Sequence, residues 1–267
     1  MLVDQRRQTM PVNWDEMRRE MSPIKDYDAL RGRWMEAFSH PCLKEAYNFT
    51  MHEMAEYTRH LLGEDARNRY EEYAHRLIET FGQLEQAGVE DLLDLTGRID
   101  TRGDFEEFIK RTSIGARDVM AALKYLAYWV IPSTKLLSGL VDKDSVVYQA
   151  VDKLRDTGVR TNLDILEKGR TLAGRKSLAK NSGVAEELVS ELVNRADLSR
   201  LPWASKATIS NILGSGYGSL HQLANADPER LYRDFYKYGT SIGKNLKLGN
   251  EIESSHRIAK IMPLIVK

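Results

Sequence analysis

The sequence predicts an all-α fold, on three observations. Apolar residues recur at steps of three and four along most of the chain, runs of alternating β-branched residues are nearly absent, and seven prolines are spread over 267 residues. A chain of this length with 42 % apolar residues buries a real core, which excludes global disorder. From Pro41 to Leu62, the residues Leu43, Tyr47, Met54 and Leu61 share one face, which predicts one helix. After a break at Gly63-Glu64-Asp65, Tyr70, Tyr73, Leu77, Phe81 and Leu84 form the seam of a second. Two amphipathic helices joined by a short break predict an N-terminal antiparallel helical hairpin within residues 1–83.

Past residue 84 the helices become short, and a repeat appears. Shifting the chain by 70 residues lays Leu84-Glu85-Gln86-Ala87-Gly88-Val89 on Leu154-Arg155-Asp156-Thr157-Gly158-Val159 and continues without a gap to Ile131-Pro132 on Leu201-Pro202. Nine of the 49 aligned positions are identical, where about three would arise by chance, so residues 84–153 and 154–236 read as two copies. Gly216-Tyr217-Gly218-Ser219-Leu220 echoes the same start, and residues 237–267 form a C-terminal extension. Glycine at each start closes the preceding helix with a positive φ, and the apolar residue after it turns into the core. Asp227-Pro228 opens a further helix, with Asp227 as cap, Pro228 in the first turn, and Leu231 and Phe235 on the inner face.

The second copy carries a resemblance. Thr171-Leu172-Ala173-Gly174-Arg175-Lys176-Ser177-Leu178-Ala179 and Asn194-Arg195-Ala196-Asp197-Leu198, with Gly216–Leu223 and Ala226-Asp227-Pro228, resemble an uncharacterised helix-hairpin-helix-like domain of bacteria and archaea over residues 154–231. The resemblance implies tandem helix-hairpin-helix-like repeats of short helices, the first copy being diverged, and it implies no activity. DNA-binding members of the wider class approach phosphate through a Gly-apolar-Gly hairpin. Here Trp203-Ala204-Ser205 and Ser133-Thr134-Lys135 stand in that place, and a tryptophan side chain there obstructs the backbone.

Thirty-nine basic and 39 acidic residues cancel, so no whole-molecule field draws the chain to nucleic acid or an anionic membrane. The halves differ, with residues 1–150 at net −6 and 151–267 at net +6. Lys153, Arg155, Arg160, Arg170, Arg175, Lys176 and Lys180 are the candidate phosphate contacts of the basic half. Cys42 is the single cysteine, which excludes an internal disulfide and a thiolate metal cage and suits a reducing cytoplasm. Met1–Arg7 lacks a following apolar stretch, so no secretory signal is expected. Ala121–Leu140 is broken as a membrane span by Lys124, Pro132 and Lys135, so no integral membrane association is expected.

Other motifs read as structural. Gly214-Ser215-Gly216-Tyr217-Gly218-Ser219 lacks a preceding strand and a phosphate-binding lysine and reads as a turn. Glu72-x-x-His75, with His52, Glu53, Glu56 and His60 before it, supplies one of the two motifs a di-iron bundle requires and reads as an exposed face. The apolar run 125–131 reads as a buried helix or, more sharply, as a docking surface with Tyr125, Tyr128, Trp129 and Trp203 as its anchors. No catalytic constellation and no cofactor or metal site is evident. The expectation is a non-catalytic cytoplasmic scaffold acting through a protein partner or self-association, with nucleic-acid binding by the 153–180 segment as the alternative.

Overall fold

A computed structural model describes residues 11–63, 70–244, 246 and 251–267. Met1–Arg7 and the Glu64-Asp65 break lie outside the described residues. Among those residues the fold is all-helical, with sixteen α-helices, no strand, and two isolated β-bridges. No helix there is long and apolar enough to cross a membrane. The chain forms two compact units, one comprising residues up to Trp34 with Asn48–Ala127, the other Met35–Tyr47 with Tyr128–Lys267. Neither unit is one continuous stretch of chain.

In the first unit, α1 (Trp14–Met21) packs on α8 (Ala116–Tyr125), and α4 (Met51–Thr58) and α8 both pack on α5 (Glu71–Gln86). Trp14, Tyr27 and Phe105 form an aromatic cluster with ring centroids 5.6–5.7 Å apart, and the Tyr27 hydroxyl donates to the Ile99 carbonyl. Tyr27 belongs to α2 (Tyr27–Phe38), and Phe105 to α7 (Arg102–Thr112).

The single helix expected over Pro41–Leu62 is instead two, α3 (Pro41–Tyr47) and α4, followed by a π-helical turn at Arg59–Gly63. The cause is local. Thr50 Oγ1 accepts from Glu53 N–H at 3.2 Å while the Glu53 carboxylate accepts from Thr50 N–H at 2.8 Å, a capping box that starts a new helix. Asn48 and Asp91 hold the break in place, their side chains 2.9 Å apart, and Asn48 Oδ1 also accepts from Leu93 N–H.

Local geometry recurs at the 70-residue interval. Gly88, at the end of α5, has φ +78°; Gly158, at the end of α9 (Val146–Asp156), has φ +77°. Both sit in Schellman turns. Gly88 N–H donates to Glu85 O and Val89 N–H to Leu84 O; Gly158 N–H donates to Arg155 O and Val159 N–H to Leu154 O, all at 2.9–3.1 Å. Each next helix is capped alike, α6 (Leu92–Arg98) by Asp91 and α10 (Asn162–Gly169) by Thr161. Thr101 then caps α7, and Thr171 caps α11 (Leu172–Ser182). The exits are left-handed at Ser113 and Gly183, and α8 and α12 (Glu186–Leu198) follow. Gly216 repeats the Schellman turn with φ +95° between α13 (Lys206–Gly214) and α14 (Leu220–Ala224). Gly158→Ala should cost about 1–2 kcal/mol in urea unfolding, because a Cβ disfavours this φ although the space around it is open.

In the second unit, α10, α11 and α12 pack mutually, α13 packs on α15 (Pro228–Ser241), and α14 on α16 (Glu251–Ile261). His256 on α16 is 7 % exposed and its Nε2 has no hydrogen-bond partner among the described residues. Burial, assisted by Lys260, lowers its pKa, with backbone groups of Ala226 and Ala224 acting in the opposite direction. A depressed histidine pKa means the unfolded chain takes up the proton first as pH falls. Stability is therefore full above pH 6.5, the ordinary histidine value, and declines below it. His256→Phe should flatten that decline in unfolding measured against pH.

Candidate interaction surface

Two irregular segments of the second unit, residues 131–136 and 199–205, carry the residues that stand where a phosphate-binding hairpin would. They are tied together by polar groups. Leu136 pairs with Thr161 in a β-bridge, so Leu137 N–H donates to Arg160 O at 3.0 Å and Asn162 N–H to Lys135 O at 2.9 Å. The Asn162 side chain, fully buried, accepts from Lys135 N–H at 2.7 Å and donates to Ser133 O at 3.1 Å and Ser199 Oγ at 3.0 Å. The Lys135 ammonium donates to the carbonyls of Ser199 at 2.8 Å and Ala204 at 3.1 Å. Its role is that of a cation at the C-terminal end of α12, where carbonyls are left unpaired. Burial lowers its pKa.

Trp203 projects from the second of these segments and Trp129 from the π-helical turn Leu126–Val130 that precedes the first, and the two meet edge to face, with centroids 5.1 Å apart and planes at 80°. Trp203 is 40 % exposed and Leu136 62 %. Leu136 directly follows Lys135, whose ammonium holds Ala204, the neighbour of Trp203. Two indoles and a leucine thus flank one lysine-bound turn. Ser205 ends the turn by capping α13 through Thr208 N–H at 3.1 Å.

Beneath the surface lies a buried ion pair. Arg200 and Asp197 have side chains 1 % and 2 % exposed and meet at 2.6 Å. Arg200 also donates to the Tyr47 hydroxyl at 2.8 Å and Pro263 O at 3.0 Å, and Asp197 Oδ2 accepts from Leu220 N–H at 3.0 Å. Burial opposes the guanidinium charge, but Tyr47 and Asp197 outweigh it and raise the Arg200 pKa. Glu167 accepts from Cys42 N–H at 2.9 Å, and the buried Cys42 thiol is pushed up to about 12 by burial and by that carboxylate. Such a thiol carries little thiolate at neutral pH.

The residues expected as docking anchors do not all lie at the surface. Tyr125 is fully buried, against Phe81 and Tyr73, and is a core residue of the first unit. Its chain neighbours Ala121–Leu123, Leu126 and Ala127 are also buried. Tyr128 and Trp129 are half-buried in the second unit.

The basic residues also divide. Arg175, half-buried on α11, donates to the carbonyls of Gly169, Arg170 and Lys267 at 3.1–3.4 Å, and Arg170 lies 3.9 Å from Glu45. Arg155 pairs with Asp152 at 3.1 Å. Lys153 on α9, Arg160 before α10, and Lys176 and Lys180 on α11 are exposed. The turn of Arg175 onto the carbonyls of Gly169 and Arg170 follows from the unpaired carbonyls where α10 ends.

The glycine-rich loop has its own structural account. A Cβ at Gly214 would fall on the Tyr238 ring, and Gly216 supplies the left-handed turn. Glu53 is used in its capping box, Glu56 pairs with Arg59, and exposed His75 lies 3.8 Å from Glu79. No group of three or more His, Cys, Asp or Glu side chains among the described residues is placed to hold a metal ion.

No curated protein sequence and no solved structure matches the chain. Residues 144–254, which contain α9 to α15, match the family described as Domain of unknown function (DUF4332).

Proposed function

We propose that the protein is a non-catalytic helical scaffold, built from two helix-hairpin-helix-like copies, that engages a protein partner through the Trp129–Trp203 edge. The observation that carries this reading is the edge itself. Two indoles in edge-to-face contact, with exposed Leu136 next to the lysine that holds the Trp203 turn, offer the aromatic anchors that dominate protein interfaces. The recurrence of Schellman turns and caps 70 residues apart supports the two-copy reading. Polar chemistry around the edge is committed to structure, with Lys135 on carbonyls and Asn162 on both turns.

A photo-cross-linking residue at Leu136 should form an adduct with a protein in native-source extract, and Trp203→Asp should abolish it without lowering the unfolding midpoint. Adducts unaffected by Trp203→Asp, or formed equally from exposed Val146, would overturn the reading.

A further inference from the structure

Helix α15 is seated firmly by one face and bare on the other. Asp227 caps it, Leu231, Phe235 and Gly239 are buried, Phe235 stacks on Tyr217 at 6.2 Å, and the Tyr217 hydroxyl donates to Asp234 at 2.9 Å. The flank of the helix beside that buried face shows Tyr232 at 37 % and Tyr236 at 66 % exposure, one turn apart. Each tyrosine is followed by an exposed cation, giving the dyads Tyr232-Arg233 and Tyr236-Lys237. Arg230 lies 3.5 Å from Asp234, whereas Arg233 and Lys237 have no side-chain partner among the described residues.

Residues four apart on a helix lie about 5–6 Å from each other at Cβ, so the two rings form a row and the two cations a second row beside it. We propose that this face of α15 binds single-stranded nucleic acid, with Tyr232 and Tyr236 stacking on bases and Arg233 and Lys237 neutralising the adjoining phosphates. The chemistry separates this occupant from others. Lysine is depleted at the centre of a protein interface, whereas here Lys237 stands with Arg233 beside the rings, with Glu229 at the N-terminal end of the same face. A membrane-surface helix inserts aliphatic or tryptophan side chains, and every exposed position from 228 to 241 is tyrosine, polar, charged or proline. Aromatic rings beside a basic track are the arrangement that holds single strands without reading their sequence.

Fluorescence anisotropy of the full chain with labelled oligothymidylate tests this. Binding at about 50 mM salt should weaken steeply by about 200 mM. Tyr232→Ala with Tyr236→Ala should reduce affinity at least about tenfold, while Tyr232→Phe with Tyr236→Phe retains it, since stacking needs the ring and not the hydroxyl. Arg233→Gln with Lys237→Gln should lower the slope of log affinity on log salt by about 1.4, two phosphates at about 0.7 each. All six substitutions are at exposed positions, and circular dichroism should show unchanged helicity. No binding at low salt, alanine variants that bind as the parent does, equal affinity for duplex, or competition by polyglutamate as effective as by oligothymidylate would each overturn the proposal.

Discussion

Arg200→Ala should cost about 3–5 kcal/mol in urea unfolding at neutral pH, the largest loss expected of any polar substitution in the second unit. The reason is what remains. Asp197 would stay 2 % exposed with a full negative charge and one backbone partner, Leu220 N–H, while the Tyr47 hydroxyl and Pro263 carbonyl would lose their shared donor. Much of the deficit comes from that abandoned carboxylate. It follows that Arg200→Met with Asp197→Asn should be more stable than Arg200→Met alone, because asparagine is neutral and still accepts from Leu220. The deficit of Arg200→Ala should also shrink as pH falls. Acid removes the uncompensated buried charge that the variant leaves, which offsets part of the loss. A loss under about 1 kcal/mol would show that the pair contributes no more than an exposed one.

Asn162→Ala should cost about 3 kcal/mol by the same measurement and alter tryptophan fluorescence. It strips partners from Lys135 N–H, Ser133 O and Ser199 Oγ at once, and a buried group left unpaired costs about 1–3 kcal/mol. Those partners lie on the segment that follows Trp129 and the segment that carries Trp203, so the indole contact should loosen with them. Asn181→Ala is the control, since Asn181 is exposed and makes one long contact of 3.5 Å with Ser177. An unchanged emission spectrum in Asn162→Ala would show that the tryptophan edge is held by other contacts.

The helical character and the glycine turns were legible because they depend on local chemistry. Positive φ at Gly88, Gly158 and Gly216 and capping by Thr101, Thr171 and Asp227 are properties of a few consecutive residues. The break before α4 had a readable signal that apolar periodicity concealed, namely the Thr-x-x-Glu pattern at Thr50–Glu53. Tyr125 was misplaced because hydropathy cannot tell a ring that faces the core from one that faces water.

The polar interior of the second unit had a signal of a different kind. At the 70-residue offset, Asn162 stands on Leu92, Asp197 on Ala127, and Arg200 on Val130. Three polar residues whose counterparts 70 residues earlier are buried and apolar point to partners inside the fold. Which partners could not be read, because Tyr47 and Pro263 are far away in sequence. The turn of Arg175 onto backbone carbonyls was hidden likewise, since charge counts do not reveal which guanidinium groups serve as helix caps.

That second unit takes Met35–Tyr47 from one end of the chain and Tyr128–Lys267 from the other, and this sets a limit on trimming. A recombinant fragment cut to the matched stretch 144–254 discards Tyr47, Lys135 and Pro263 together. It would retain α9 to α15 while stripping Arg200 of Tyr47 and Pro263 and Asn162 of Lys135 and Ser133, and the dissected piece would be a poor stand-in for the parent.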